Sequence, residues 1–360
     1  MDDGETSFNY FNAIDFIAEL RAYLQQAKLV VGFNIKFDLN WIRRYGLVPP
    51  DKARIWDCQI AEFILRGQQG AYPSLNESLA RFNLGQKDDK IAEYWKLGVD
   101  TQDIPVDELR VYGNLDVDLT YKLYLKQQEV MTEKQKKLCL VMGLDLLVLA
   151  DMEFNGVKFN KELCETKATE TAAELKVITE ELLKFAPTPN INLDSGHQLS
   201  CFLYGGVFDL VTVDHITEEV YKSGKRKGES WKKNHYVTNT YKCEGLFQPL
   251  KGSETKLVSK VGDVSYPIWQ TGEDVLKQLR KPTKQHKRII ELLLKRAELA
   301  KLMSTYYGAL PELLQKMEWG DYLHGQYNQC VAATGRLSSS APNMQNFSGP
   351  VDALLVSRYV

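Results

Sequence analysis

The run KLVVGFNIKFDLNWIRRYG, Lys28–Gly46, holds two periodicities side by side. Leu29, Val30 and Val31 are consecutive apolar residues, the pattern of a short buried strand, and Gly32 ends their run. The segment FDLNWIRRYG then spaces its apolar residues as a helix does and is stopped by Gly46. A strand that passes directly into a helix is the unit of an α/β (α+β) domain, so this stretch sets the fold class.

Working outward, Ile14–Ala27 reads as an amphipathic helix, and further helices are expected at WDCQIAEFILRG, SLNESLARFN and VDELRVYGNLDVDLTYKLYLKQQEVM. Asp57 in the first of these reads as a helix N-terminal residue. Only one strand is clear, so the sheet is expected to be entered partway. A long helix from about Glu129 should stop at Asn155–Gly156, where a left-handed residue fits, and KELCETKATETAAELKVITEELLKF should form another. Between Gly205 and Gly272 the composition shifts to Gly, Lys, Ser and Tyr, which reads as a basic, loop-rich insert. Its segment KSGKRKGESWKK sets Lys222, Lys225, Arg226, Lys227, Lys232 and Lys233 against Glu229 alone. A last long helix is expected from about Thr283 to Leu310.

With 360 residues of which 44% are hydrophobic, the chain can bury the cores of two or three domains. It has no apolar run of membrane-spanning length, and MDDGETSFNYF lacks the basic and apolar parts of a signal peptide, so a cytoplasmic protein without membrane contact is expected. Six cysteines, scattered without a CxxC pair, are expected to be packing residues in a reducing compartment. A net charge of −2 does not exclude nucleic acid, because binding follows charge distribution.

Two constellations could carry chemistry. Asn34 and Asp38 are four apart where the strand becomes a helix, and Tyr112 and Asp116 are four apart within a helix, so each pair shares a face. Converging carboxylates can hold the cations of two-metal phosphoryl chemistry, and a tyrosine can position the attacking water. Surface aspartates with a half-buried tyrosine fit the same spacing. Asp118 is expected to be solvated. The second constellation is VAATGRLSSSAPNMQNF, Val331–Phe347, in which Arg336 follows Gly335 at a turn. A guanidinium offers a rigid fork of donors, and in the minor groove every base pair presents acceptors at nearly equivalent places, so such an arginine can test pair geometry without reading sequence. Ser338, Ser339, Asn343, Gln345 and Asn346 suit phosphate, sugar and base contacts. A polar surface loop is the alternative.

VVGFNIKFDLNWIRRYG and YGNLDVDLTYKLY resemble the second and third exonuclease motifs of family A, polymerase-I-like DNA polymerases, and ATGRLSSSAPNMQNF resembles that family's T-G-R-L-S-S…P-N-x-Q-N motif. LADMEFNGVKFN is similar to the helix leading out of the exonuclease domain, and NINLDSGHQLSCFLYG and RAELAKLMSTYYGALP to thumb segments. The resemblance implies an incomplete ribonuclease-H-like 3′→5′ exonuclease domain at 1–128, a mainly helical thumb at 129–320 with a basic insert at about 205–272, and the start of a palm at 321–360. It implies Asp38 and Asp116 as metal ligands for magnesium, Tyr112 as the residue orienting the attacking water, and Asn34 as support. Arg336, Ser338, Ser339, Asn343, Gln345 and Asn346 would touch DNA, as would Lys225, Arg226 and Lys227 of the insert and Lys284, Arg288 and Lys295 of the last helix. A solvated helix face fits those last three equally well.

The family's first exonuclease motif, Asp-x-Glu, is not found on an opening strand; Asp3–Glu5 has the spacing but lies in a polar leader. After the arginine motif only Asp352 follows, and one carboxylate does not hold two magnesium ions. The reading is therefore part of a DNA-directed DNA polymerase, of bacteriophage type, acting in a host cytoplasm and inactive by itself. Its expected partners are primer-template DNA, a separate C-terminal polymerase chain and a processivity factor. The rivals are a stand-alone 3′→5′ exonuclease and a non-catalytic primer-template-binding scaffold.

Overall fold

The computed structural model of the chain describes residues 13–50, 52–87, 90–221, 230–261, 264–347 and 349–357. It divides into two compact units, Met1–Asn160 with Leu314–Val360, and Lys161–Leu313. The first unit begins α1 (Ala13–Gln26), β1 (Leu29–Gly32), α2 (Lys36–Arg43), β2 (Arg54–Asp57), α3 (Cys58–Leu65), α4 (Leu75–Phe82) and α5 (Lys90–Lys96). It continues through α6 (Val106–Val130), α7 (Glu133–Asn155) and β3 (Val157–Phe159).

Strands β1 and β2 pair in parallel, from Leu29 opposite Arg54 to Gly32 opposite Asp57. The second strand departs from the sequence reading, which ran the following helix back to Trp56. A four-residue strand is too short to show a period, and the apolar residues of α3 extend the helical pattern into it. Asp57 is the N-cap expected of it, and more. Its buried carboxylate accepts the backbone N–H groups of Gln59 and Ile60 at the start of α3 and those of Asn34 and Ile35 before α2. One side chain thus satisfies orphan donors at two helix starts. Helices α6 and α7 are separated at Thr132, whose side chain and Gln135 form a capping box.

Trp56, Phe63, Leu79, Leu119, Leu123 and Leu146 belong to the core of this unit. Trp56 Nε1 donates to Gln127 Oε1 at 3.1 Å, and Gln127 Nε2 donates to the Cys58 carbonyl at 2.9 Å, so the buried amide is spent on the scaffold. Where α7 crosses β2, a Cβ on Gly143 would stand 2.4 Å from the Ile55 carbonyl oxygen, which only a glycine avoids.

The second unit holds α8 (Lys161–Leu183), α9 (Gly196–Tyr204), a hairpin of β4 (Gly206–Val220) and β5 (Ser230–Cys243), a hairpin of β6 (Glu254–Val261) and β7 (Val264–Trp269), α10 (Glu273–Gln278) and α11 (Lys284–Leu302). The insert expected to be loop-rich is therefore largely two antiparallel hairpins. Gly, Lys and Ser dominated its composition, whereas the folding signal lay in the interleaved β-branched residues of Val211, Thr212, Val213 and Ile216. Lys222–Glu229, including Lys225, Arg226 and Lys227, lie outside the described residues, as do Asp3–Glu5. The Thr283 hydroxyl caps α11 by accepting the His286 N–H, and a π-helical turn, Met303–Gly308, links it to α12 (Ala309–Lys316). Leu182, Phe202, Leu203, Ile289, Ile290 and Leu293 are core residues of this unit.

The chain then returns to the first unit with β8 (Tyr322–Leu323), β9 (Gln326–Asn328), β10 (Ser338–Ser340) and β11 (Leu355–Val356). β3 lies between β11 and β8, antiparallel to both, and β9 pairs antiparallel with β10. All six cysteines are buried and unpaired, as packing residues are. Among the described residues no helix is long and apolar enough to cross a membrane.

Candidate functional site

Asp38 on the first turns of α2 and Asp116 in α6 come together at one end of the β1–α2 junction, close enough for the Asp116 charge to act on Asp38. The Asp38 carboxyl is raised above the ordinary aspartate range, first by partial desolvation and then by the negative charge of Asp116, with its backbone hydrogen bond opposing both. Although part of its surface meets solvent, the surrounding atoms crowd it enough for desolvation to lead. Lys87 joins them from the loop after α4: its Nζ donates to Asp116 Oδ2 at 2.6 Å and lies 4.7 Å from the centre of the Tyr112 ring. Desolvation alone would lower the Lys87 ammonium, but the Asp116 and Tyr112 partners outweigh it and hold it above the usual lysine range. Asp116 Oδ1 is buried and accepts no hydrogen bond from the described residues. The Trp95 ring meets Tyr112 edge-on, and a cleft of about 240 Å³ lies beside Tyr112, lined also by Lys90, Asp107 and Glu108. Asn34 takes a left-handed conformation, φ 53°, and its N–H is held by Asp57. Asp118 pairs with Lys122 one turn along α6.

Arg336 lies between β9 and β10, after a turn in which Gly335 has φ 71° and its N–H donates to the Ala332 carbonyl. The guanidinium is exposed, and no side chain among the described residues pairs with it. Behind it, side-chain hydrogen bonds hold the loop. Buried Ser339 accepts the Met344 N–H at 3.1 Å and donates to the Pro342 carbonyl, and Asn328 Nδ2 donates to Ser340 Oγ. Ser338 pairs with Asn328 in the ladder, and Asn343 caps the short helix Met344–Asn346 by accepting the Gln345 N–H. Ser339 and Asn343 therefore shape the loop, while Gln345 and Asn346 remain at its surface. The Tyr72 N–H donates to the Cys330 carbonyl, which anchors the entry to this turn on the loop after α3.

The segments that hold these two sites each match a known family. Residues 7–132 match the 3′-5′ exonuclease model, and residues 243–353 match DNA polymerase family A. The chain is 27% identical over 320 residues to DNA polymerase I of Synechocystis, 87% of this chain and 26% of that protein. It is 24% identical over 350 residues to the DNA polymerase of Bacillus phage SP01, 94% of this chain and 36% of the relative. Among solved structures, the POL domain of Pol1 from M. smegmatis, in complex with DNA primer-template and dNTP, overlays 93% of this chain and 46% of its own at TM-score 0.58 and 19% identity. Together these matches support a kinship with part of a family A DNA polymerase. The chain spans about a quarter to a third of the length of these curated relatives.

The arginine hairpin is fixed to α2, within the segment that matches the exonuclease model, by Glu153 near the end of α7. Its carboxylate accepts Lys36 Nζ at 2.5 Å, Asn40 Nδ2 at 2.8 Å and the Tyr327 N–H of β9 at 2.7 Å. Lys36 Nζ also donates to the Tyr327 carbonyl, and His324 Nδ1 is 2.8 Å from the Glu153 carbonyl. Lys36 and Asn40 sit on α2, the helix that also carries Asp38. The sequence reading missed Glu153 and Lys87. Lys36 and Asn40 show an i, i+4 spacing, but Glu153 lies over a hundred residues further on, and no local pattern joins them.

The cations expected on α11 are engaged differently. Arg288 makes a bidentate pair with Glu181 of α8, at 2.8 and 2.7 Å, and Lys295 reaches Glu298 on its own helix at 3.3 Å. Lys284 is exposed at the start of α11. The neighbouring Arg296 is likewise bidentate to Asp194.

The magnesium expectation meets the geometry of the acid pair unevenly. Among the described residues no group of three or more His, Cys, Asp or Glu converges. Asp352, in the short helix Gly349–Leu354, stands apart as a single carboxylate. Two divalent ions need more oxygen ligands than Asp38 and Asp116 offer, and one of those oxygens is already held by Lys87. The described residues do not by themselves fit a two-metal centre.

Proposed function

We propose that this chain is the part of a family A DNA polymerase that holds the primer-template duplex, with Arg336 testing minor-groove geometry. The observation that carries the reading is the exposed guanidinium, unpaired among the described residues, on a hairpin held from behind by the hydrogen bonds of Ser339 and Glu153. A donor fork fixed in advance loses little freedom on meeting the acceptors of a base pair. Ser338, Gln345, Asn346 and Lys284 supply nearby or additional polar contacts, while Arg288 and Lys295 serve the thumb's own packing before they serve DNA. Template-directed polymerisation with magnesium belongs, on this reading, to the whole protein, in which further palm carboxylates join Asp352. A separate C-terminal polymerase chain and a processivity factor are partners consistent with that division.

The test is fluorescence anisotropy of a labelled primer-template with the full chain. Arg336→Ala should weaken binding by about fivefold or more at constant salt while the melting temperature is unchanged. Undiminished affinity in the variant would remove the arginine hairpin from the DNA interface.

The meeting of Asp38, Asp116 and Tyr112 supports a second reading, a site that receives a single-stranded 3′ end in the manner of the exonuclease family. The full chain with labelled single strand and magnesium should leave the strand untrimmed, because the acid pair is not a two-metal set; trimming that disappears in Asp116→Asn would overturn this.

A further inference from the structure

The loop between α3 and α4 lies against the segment that leads to Arg336. The Tyr72 N–H donates to the Cys330 carbonyl at 2.9 Å. A Cβ placed on Gly335 would stand 3.6 Å from Gln68 Nε2, so the Gln68 amide rests against the backbone next to the arginine. Both contacts come from residues in left-handed backbone, Gln68 with φ 62° and Tyr72 with φ 50°. Glycine takes that conformation freely, as Gly67 and Gly70 do in the same loop, whereas a side chain makes it costly. Such strain persists where the surroundings over-determine the backbone. At the start of this loop the Gln68 N–H donates to the Phe63 carbonyl at 2.9 Å, and Arg66 Nε donates to the fully buried Glu62 at 2.9 Å. At its end Gln59 Nε2 donates to the Pro73 carbonyl at 3.0 Å. The loop is therefore a fixed support, and Gln68 is a side chain that it extends to the turn. Within the turn, the Gly335 N–H donates to the Ala332 carbonyl, and Gly335 is exposed, so water competes for that bond. A support from outside the turn limits how far it can open.

We propose that Gln68 is a positioning residue for Arg336: packed against Gly335, it restrains the turn and keeps the guanidinium aimed at the terminal pair of a primer-template. The segment that matches the exonuclease model thereby sets how sharply the arginine separates matched from mismatched termini. The effect on DNA rests on the reading of Arg336 as a minor-groove contact, whereas the restraint on the turn does not.

The experiment has two arms, both on the full chain. In the first, hydrogen exchange of residues 331–338 is followed without DNA in wild type, Gln68→Gly, Gln68→Ala and Gln68→Met. Gln68→Gly removes the side chain and suits the left-handed backbone, so its melting temperature should stay close to that of wild type. Exchange at the turn should nonetheless quicken about threefold or more in the glycine and alanine variants. Gln68→Met keeps the length of the side chain and should return exchange to the wild-type rate. In the second arm, the ratio of affinities for matched and mismatched primer termini should fall about threefold in Gln68→Gly and be kept in Gln68→Met. Adding Gln68→Gly to Arg336→Lys should lower the ratio no further. Unchanged exchange at the turn in both the glycine and alanine variants would overturn the proposal whatever the DNA arm gives. Quickened exchange with an unaltered ratio would overturn the positioning role, and if Arg336→Lys also leaves the ratio unaltered, the reading of Arg336 falls with it.

Discussion

The Arg336 hairpin and the Asp38–Asp116 centre lie in the same compact unit and dispose of their polar groups in opposite ways. At the hairpin, the supporting groups are consumed: Ser339 binds the Met344 N–H, and Glu153 binds Lys36, Asn40 and the Tyr327 N–H. The working group, the guanidinium, is left to solvent. At the acid centre the working groups themselves are consumed, Asp116 by Lys87, while Asp38 is held under desolvation and like-charge stress. The first arrangement is pre-organised for an external partner. The second is partly balanced from within by Lys87.

The largest effect expected from this contrast is at Glu153. Replacing it by Gln keeps its shape but leaves the Lys36 ammonium, 15% exposed, without its ionic partner. Breaking a pair this deeply placed costs about 3–5 kcal/mol. Urea unfolding should register the loss, and hydrogen exchange across β9 and β10 should accelerate more than exchange in α6. Uniform acceleration through the unit would show that Glu153 supports the fold generally and not the hairpin in particular.

Ser339→Ala should have a smaller effect, about 1 kcal/mol, because the partly buried Met344 N–H loses its acceptor. The accompanying loss of DNA affinity should be smaller than that of Arg336→Ala, since the guanidinium remains. A Ser339→Ala chain that loses DNA binding entirely while keeping its stability would assign the serine a direct contact and weaken the division between supporting and working groups.

The smallest effect is expected at Asp38 and runs toward greater stability. Its carboxyl is raised in the folded chain, so folding favours the protonated form. That contribution is fully present below the ordinary value of 3.8 and is lost as pH rises through the raised folded value. At neutral pH the ionised group opposes folding, and Asp38→Asn should raise the melting temperature slightly there while the advantage fades toward pH 3. Asp57 carries the same sign, raised by burial against four opposing backbone N–H bonds, but its capping role makes its replacement destabilising. A lower melting temperature for Asp38→Asn at neutral pH would mean that its backbone hydrogen bond outweighs the stress.

These differences track what a sequence can disclose. The strand-to-helix passage at Lys28–Gly46, the pairing of Asp57 with a helix start and the turn at Gly335–Arg336 were legible because each is written in neighbouring residues. The matched spacings of Asn34 with Asp38 and of Tyr112 with Asp116 pointed to one acidic centre, and in the folded unit the Asp116 charge acts on Asp38. β2 was hidden by its length, and the hairpins of the insert were hidden by a composition dominated by Gly, Lys and Ser. Lys87 and Glu153 could not be read locally at all. Lys87 meets Asp116 across 29 positions and Glu153 meets Lys36 across 117, and such contacts exist only once α4, α6, α2 and α7 have packed. Even the cations of α11 looked alike in the sequence, whereas Glu181 distinguishes Arg288 from Lys284 in the folded unit.

The most direct test of the central claim, that the hairpin presents Arg336 as a reader of pair geometry, is the ratio of affinities for matched and mismatched primer termini in Arg336→Lys. Lysine keeps the charge and loses the fork. The account predicts that wild type prefers the matched terminus and that the variant loses most of this preference, by roughly 1–3 kcal/mol, or about five- to hundredfold. Its melting temperature should not change, because the side chain is exposed and unpaired. An unaltered ratio, with only a uniform weakening that grows with salt, would contradict the account and reduce Arg336 to a phosphate contact.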